Sequence, residues 1–163
     1  MQQTSVSMPE RLKQWVSGQI TLKDIKGYSD EELEAISRVG YFFLMQGKTE
    51  EARVIFEGLI ALDPRNDYYY RALGTIFQRR GDNERAIKQF GYAIRINPES
   101  PYAYVNRAEI YMLLDQIAEA EDDLRQALGK IGNEEQPLSK KAWALYQLVI
   151  KRKKEALFPG SSS

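Results

Sequence analysis

Four carboxylate side chains follow one another closely in the second half of the chain. They are Glu119, Glu121, Asp122 and Asp123. Paired carboxylates can act as general acid and general base, but this spacing predicts a solvated helix face. The sequence contains no histidine and no cysteine, which removes the commonest general base, the commonest metal ligand and any thiolate nucleophile. No glycine-rich phosphate loop is present either. We therefore expect no enzyme activity, no metal and no cofactor.

The segment that carries these carboxylates belongs to a threefold repeat between Leu33 and Glu134. Residues of matching type recur 34 residues apart. The matched columns are Gly40, Gly74 and Ala108; Phe43, Phe77 and Tyr111; Ala52, Ala86 and Ala120; Phe56, Phe90 and Leu124; and Pro64, Pro98 and Gly132. A 34-residue period with small residues at fixed points and a closing proline is typical of tetratricopeptide repeats.

The predicted fold is all-α, with a helix A and a helix B in each repeat. We place the repeats at residues 33–66, 67–100 and 101–134 of a single domain that spans 1–163. Gly74 on helix A and Ala86 on helix B are small, which indicates that the two helices cross closely there. Because one repeat cannot bury its apolar face alone, the repeats are expected to stack into a right-handed, concave superhelix.

A short helix is predicted before the repeats, beginning at Pro9 and ended by Gly18. Its apolar stripe consists of Leu12, Trp15 and Val16. Such a stripe either packs on the first repeat of the same chain or mediates weak homodimerisation, since a helix this short is marginal alone. We name these three residues as the candidate dimerisation surface. The residues from 20 to 28 are predicted to form a turn-like connector, which completes a leading segment of residues 1–28.

A final helix is predicted over residues 138–154, where it would cap the array. The basic run Lys151 to Lys154 lies at its C-terminal end, where cations interact favourably with the helix dipole. We interpret this run as a solvated helix end and expect no nucleic-acid binding. The tail from 156 to 163 is predicted to be disordered.

The A helices are expected to line the inner wall of the array. Positions on these helices that the A–B packing leaves free alternate apolar and polar groups, which suits an extended peptide. The candidate peptide-binding residues are Ser37, Tyr41, Leu44, Met45, Tyr68, Arg71, Thr75, Gln78, Tyr102, Val105, Asn106, Glu109 and Met112. Tyr68 and Tyr102 have the alternative of packing between repeats, and Phe42 and Phe43 are expected to serve the core. A clamp for a C-terminal carboxylate is disfavoured, because Ser37 and Tyr41 replace the lysine and asparagine that it uses.

The composition favours a soluble intracellular protein. Basic and acidic residues balance at 23 each, so no net field attracts nucleic acid or acidic membranes. The first ten residues hold no apolar run, so no secretory signal is expected. No stretch approaches the roughly 18 apolar residues that a membrane span requires, and stable membrane insertion is not expected.

The arrangement of a leading helix, three repeats and one closing helix resembles the class II, tetratricopeptide-type translocator chaperones of bacterial type III secretion. The resemblance covers residues 10 to 154, and the stretch from Gly18 to Leu59 carries its specific motifs. These are Gly18 with Thr21-Leu22-Lys23-Asp24 and Lys26-Gly27, then Ser29-Asp30-Glu31-Glu32-Leu33, Gln46-Gly47-Lys48 and Glu51-Ala52 with Phe56-Glu57-Gly58-Leu59.

The resemblance implies a cytoplasmic chaperone that keeps hydrophobic, pore-forming translocator proteins soluble before export. In that family an extended segment of the client lies in the concave groove, and pockets form at the positions that Ser37, Tyr41 and Leu44 occupy here. Tyr41 keeps the aromatic character, whereas Ser37 and Leu44 depart from the tyrosines often found there. A generic tetratricopeptide scaffold with no holding function is the alternative.

Overall fold

The computed structural model describes residues 7–132 and 136–157. Within these ranges the chain is all-α. The helices are α1 (Met8–Val16), α2 (Leu22–Lys26), α3 (Asp30–Met45), α4 (Thr49–Leu62), α5 (Asp67–Arg79), α6 (Asn83–Ile96), α7 (Pro101–Leu113), α8 (Ile117–Lys130) and α9 (Pro137–Leu157). The predicted helix pairs of the three repeats therefore correspond to α3 and α4, α5 and α6, and α7 and α8. By packing, the chain divides after Tyr69 into two compact units.

In the first unit, α3 packs against α4, α1 packs against α2, and α2 packs against α4. The side chain of Ser29 caps α3 by accepting a hydrogen bond from the Glu32 amide at 3.1 Å, and Glu32 accepts one from the Ser29 amide at 2.8 Å. Serine followed three residues later by glutamate is the sequence signature of such a capping box, and here it marks the start of the first repeat. The A–B crossing is tight, because a Cβ on Gly40 would lie 2.9 Å from Cγ2 of Ile55.

The connector between the leading helix and the first repeat differs from the prediction. Instead of a plain turn, residues 22–26 form the one-turn helix α2. Thr21 and Asp24 make a capping box, with the Thr21 amide donating to the Asp24 carboxylate at 2.6 Å. The Thr-x-x-Asp spacing signals this cap in the sequence, and Gly27 ends the helix in the left-handed conformation.

In the second unit, α7 packs against α6, α8 and α9, and α8 packs against α9. A Cβ on Gly74 would lie 2.8 to 2.9 Å from three carbons of the buried Phe90 ring, so the close A–B crossing predicted for the second repeat is confirmed. The closing core cluster combines Val105, Ala108, Leu124 and residues of α9 such as Val149. The closing helix is longer than predicted, because α9 continues through Leu157.

The leading helix α1 agrees with its prediction, with Gly18 at φ +74° beyond its end. The prediction of a disordered tail is wrong for residues 156 and 157, which belong to α9. The rest of that prediction, 158–163, lies outside the described residues. No helix within residues 7–132 and 136–157 combines the length and the apolar character needed to cross a membrane.

Candidate functional site

The exposed surface of α3 carries the strongest candidate contacts in the first unit. Tyr41 and Met45 both have more than half of their surface open to solvent, which suits the proposed role in binding a peptide. Phe42 is equally exposed, so the expectation that it serves the core is wrong. The reason is that α3 packs on α4 through its other face, where Gly40 and Leu44 lie.

Three of the candidate peptide-binding residues are instead part of the interior. Leu44, Val105 and Met112 are all buried, which corrects the expectation that they line a groove. Val105 and Met112 belong to the core cluster formed with α8 and α9. Helical spacing alone does not distinguish residues that line the inner wall from residues that pack against helix B, because these two faces are adjacent on helix A.

Ser37 is also buried, but it borders a cleft at the surface. Its hydroxyl donates a hydrogen bond to the Glu34 carbonyl at 2.8 Å. The cleft has a volume of about 470 Å³ and is lined by Asp30, Glu34, Ser37, Arg38, Asn66, Tyr68 and Tyr69. Tyr68 is half-buried and borders this cleft. Its ring packs edge-to-face on that of Phe56, with 6.0 Å between the two ring centroids. Tyr68 therefore packs against the first repeat, as its alternative predicts, and its role in binding a peptide stays a prediction.

In the second unit, the candidates on α5 and α7 meet in a stacked pair. The guanidinium of Arg71 lies over the Tyr102 ring, 5.0 Å from its centroid, a distance typical of a cation–π contact. Tyr102 is exposed, whereas Thr75, Gln78 and Asn106 are half-buried. Tyr102 and Arg71 thus present one flat surface with both aromatic and cationic character.

Glu109 is tied to the closing helix rather than left open. Its carboxylate accepts from Nζ of Lys141 on α9 at 2.8 Å. A peptide that used Glu109 would have to compete with this ion pair. Sequence reasoning missed the pairing, because Lys141 lies 32 residues further along the chain.

The acidic run on α8 forms the predicted solvated face only in part, because Glu119 and Asp122 are exposed whereas Glu121 and Asp123 are buried. Asp123 is buried and accepts two hydrogen bonds from the Arg107 guanidinium, at 2.7 and 2.8 Å. Burial raises the pKa of Asp123, and the bonds from Arg107 oppose that effect. Glu121 is also buried, and hydrogen bonding from Lys153 lowers the pKa of its carboxyl. Asp123 and Glu121 thus connect α8 to α7 and to α9 through ion pairs.

The candidate dimerisation residues lie on α1, which is largely exposed to solvent. Val16 is the most exposed of them, and Leu12 and Trp15 are each close to half exposed. Leu12 and Val16 border an apolar cleft of about 370 Å³ with Pro9. Trp15 borders a different cleft, of about 220 Å³, together with Ala61 and Pro64 of the first repeat. Trp15 therefore lies next to the first repeat, as the packing alternative predicts. Val16 faces solvent, as the dimerisation alternative requires.

Comparison with known proteins identifies the repeats first. Two family models, each described as a tetratricopeptide repeat, match residues 34–66 and 71–135. Together they span more than half of the chain, which is thus a tetratricopeptide-repeat protein. The predicted all-α repeat fold is confirmed.

Several relatives show which kind of tetratricopeptide-repeat protein this chain resembles. The low calcium response locus protein H of Yersinia pestis is 26% identical over 160 residues, which cover 95% of each chain. The Yersinia enterocolitica type III secretion chaperone SycD, solved with a peptide of the translocator YopD, is 25% identical with a TM-score of 0.71 over 77% of this chain and 97% of that one.

PcrH, a Pseudomonas aeruginosa protein solved with the chaperone-binding region of PopD, is 27% identical with a TM-score of 0.70 over 78% and 97% of the two chains. The resemblance to the translocator chaperones of type III secretion that is seen in the sequence is therefore confirmed.

Proposed function

We propose that this chain is a cytoplasmic chaperone of type III secretion that binds an extended segment of a hydrophobic translocator protein and keeps it soluble before export. The observation that carries the proposal is the likeness to SycD and PcrH, each solved with a translocator segment bound. We assign it no catalytic step, since the two buried carboxylates of the acidic run, Glu121 and Asp123, are engaged in ion pairs between helices.

The exposed candidates supply the chemistry that such a segment needs. Tyr41 and Met45 offer apolar surface on α3, and the Arg71–Tyr102 stack offers an aromatic face with a guanidinium beside it. Half-buried Gln78 and Asn106 can hydrogen-bond the backbone of an extended chain. We propose that the client contacts these residues, together with Ser37, Tyr68 and Thr75. The buried Leu44, Val105 and Met112 support them from beneath.

The test is affinity capture of the chain from its native host, followed by mass spectrometry. The proposal requires one or two membrane-active proteins in near-stoichiometric yield. A set of folded, water-soluble partners without such clients would instead support the generic scaffold.

The leading helix α1 supports a second part of the proposal, weak homodimerisation through Leu12, Trp15 and Val16. Val16 projects into solvent beside an apolar cleft, and a second α1 would cover both. Val16→Glu should lower the sedimentation coefficient from that of a dimer to that of a monomer, whereas Val54→Glu on the exposed face of α4 should not. A wild-type chain that sediments as a monomer at tens of micromolar contradicts it.

A further inference from the structure

The cleft beside Ser37 has properties that point to one kind of client side chain. It lies between α3 and the first turn of α5, entirely within the first unit. Its volume of about 470 Å³ falls within the roughly 300–1,000 Å³ of small-molecule pockets. A large ring would fill more of this space than an aliphatic side chain.

Ser37 contributes a small side chain to the lining of the cleft. It occupies the position that Arg71 and Val105 hold in the other two A helices, 34 and 68 residues further on. Its hydroxyl already donates a hydrogen bond to the Glu34 carbonyl, so it does not require a hydrogen bond from a ligand. A larger residue here would fill the cleft from its floor.

The wall of the cleft is aromatic. Tyr68 packs edge-to-face on Phe56 at 6.0 Å and on Tyr69 at 6.3 Å, with interplanar angles of 71° and 70°. An additional ring would extend this cluster in the geometry that aromatic pairs prefer. The Tyr68 amide donates to the Asn66 side chain at 3.1 Å, which fixes Asn66 at the edge of the same wall.

The rim of the cleft is polar and carries both charges. Arg38 is held by an ion pair with Glu34 at 2.7 Å, which keeps its guanidinium at the rim, where it can lie over the face of an inserted ring. Glu34 and Asn66 offer oxygen acceptors for a phenol O–H or an indole N–H. These side chains already accept hydrogen bonds from Arg38 and from the Tyr68 amide, and a ring that carries a polar atom can donate a further one, which an aliphatic side chain cannot do.

We propose that this cleft takes a tyrosine or tryptophan side chain of the bound client, and that Ser37 sets the size of residue it accepts. The proposal rests on the proposed function, because it assumes that a client segment lies along α3. It specifies the anchor chemistry that distinguishes this chain's clients from those with only aliphatic anchors.

The test uses amino-acid amides as probes and needs no identified client. N-acetyl-tryptophanamide, N-acetyl-tyrosinamide and N-acetyl-leucinamide are titrated into the full chain labelled with ¹⁵N. We expect the two aromatic probes to shift the amide resonances of Tyr68 and Tyr69, with an affinity about tenfold higher than that of the leucine probe.

Two substitutions assign the effect to the cleft. Ser37→Leu should weaken binding of the tryptophan probe about tenfold by filling the floor, whereas Ala35→Leu, which adds similar bulk at an exposed position of the same helix, should not. Arg38→Ala provides an independent check, since Arg38 is exposed and its loss should weaken binding without disturbing the fold.

Equal affinity for the leucine and tryptophan probes overturns the proposal, as does binding of the tryptophan probe that neither Ser37→Leu nor Arg38→Ala weakens. If Ser37→Leu does not fold, Arg38→Ala alone decides. The proposed function fails in a different way: the chain would then capture no translocator from its host, whatever the amides do.

Discussion

The first and third repeats share one sequence pattern but differ in how much of their A helix is covered. Phe42 on α3 and Ile110 on α7 lie 68 residues apart, at equivalent positions. Phe42 is 57% exposed, whereas Ile110 is fully buried. Other equivalent pairs agree, since Ser37 and Val105 are both buried, as are Leu44 and Met112. The repeat period therefore determines the face that meets helix B, and the neighbouring helices determine what happens to the other faces.

The neighbours of the two helices explain the difference. In the second unit α7 packs against α6 and α9 as well as against its own partner α8. The position of Tyr41 on α3 is occupied on α7 by Glu109, which binds Lys141 of α9. The third repeat is thus built to receive a closing helix, while the first presents aromatic side chains to solvent. For this reason we propose that the main client contacts lie on the first repeat.

The largest predicted effect concerns the buried ion pair of the third repeat. At the positions of Arg107 and Asp123, the first repeat has Val39 and Ile55. Asp123→Ala leaves the Arg107 guanidinium without its buried partner and should lower the free energy of unfolding by about 3–5 kcal/mol, measured by urea denaturation. Glu155→Ala, which removes the exposed pair with Lys151, should cost less than about 1 kcal/mol.

The same pair can be exchanged for the residues of the first repeat. The double variant Arg107→Val with Asp123→Ile should recover much of the loss, because an apolar pair of similar volume avoids the desolvation of two charges. A single Asp123→Ala variant as stable as the wild type would show that Arg107 needs no partner.

The second prediction tests the unequal coverage of α3 and α7 directly. Ile110→Ala should lower the free energy of unfolding by about 2–5 kcal/mol, since it leaves a cavity in a closed core. Phe42→Ala removes a larger side chain but should cost less than about 1 kcal/mol, because more than half of that side chain already lies in water. Thermal and urea denaturation of the two variants provide the comparison, and similar losses would contradict it.

The third prediction concerns the size match across the A–B crossings. Gly40 and Gly74 each oppose a phenylalanine, Phe56 or Phe90, whereas Ala108 shares its core cluster with the smaller Leu124. Leu124→Phe should therefore overpack the third repeat and cost about 1–3 kcal/mol.

Adding Ala108→Gly to this variant should restore part of the loss by giving the third repeat the glycine–phenylalanine pairing of the other two. A double-mutant cycle measures the coupling. Additive losses would mean that Ala108 and Leu124 do not meet at the crossing.

The smallest predicted effect is at the turn between helices A and B. Gly47 and Gly81 adopt positive φ there, and Asp115 has the same conformation in the third repeat, at φ 58°. Because a left-handed conformation costs a non-glycine residue about 1 kcal/mol, Asp115→Gly should raise the melting temperature slightly. Gly47→Asp should lower it by a comparable amount. A lower melting temperature for Asp115→Gly would show that the contact of Asp115 with Arg152, at 3.8 Å, matters more than the backbone.

Much of the fold follows from the sequence, because the repeat period and the small residues at the crossings are local signals. Gly74 and Ala86 mark the second A–B crossing by their size alone, and Ser29 with Glu32 marks the start of α3. The one-turn helix α2 carried such a signal too, in Thr21 and Asp24, although the segment was predicted as a turn.

The candidate site is less readable from the sequence, because exposure depends on contacts between distant segments. The exposure of Phe42 and the burial of Asp123 both depend on which helix packs alongside. Lys153 pairs with Glu121 and Arg107 pairs with Asp123. Neither cation lies next to the acidic run in the sequence, so the sequence alone does not predict these ion pairs. The surface that a client would contact can only be separated from the core once these neighbours are in place.

The most direct test of the account is the affinity of the chain for the captured translocator segment, measured by calorimetry for Tyr41→Ala beside the wild type. Tyr41 is exposed on α3, so its loss should leave the melting temperature nearly unchanged and weaken binding by about 2 kcal/mol, roughly thirtyfold. Val54→Ala, an equally exposed apolar position on α4, should change neither quantity. Unchanged affinity of the Tyr41→Ala variant, or an equal loss with Val54→Ala, would contradict the assignment of client binding to α3.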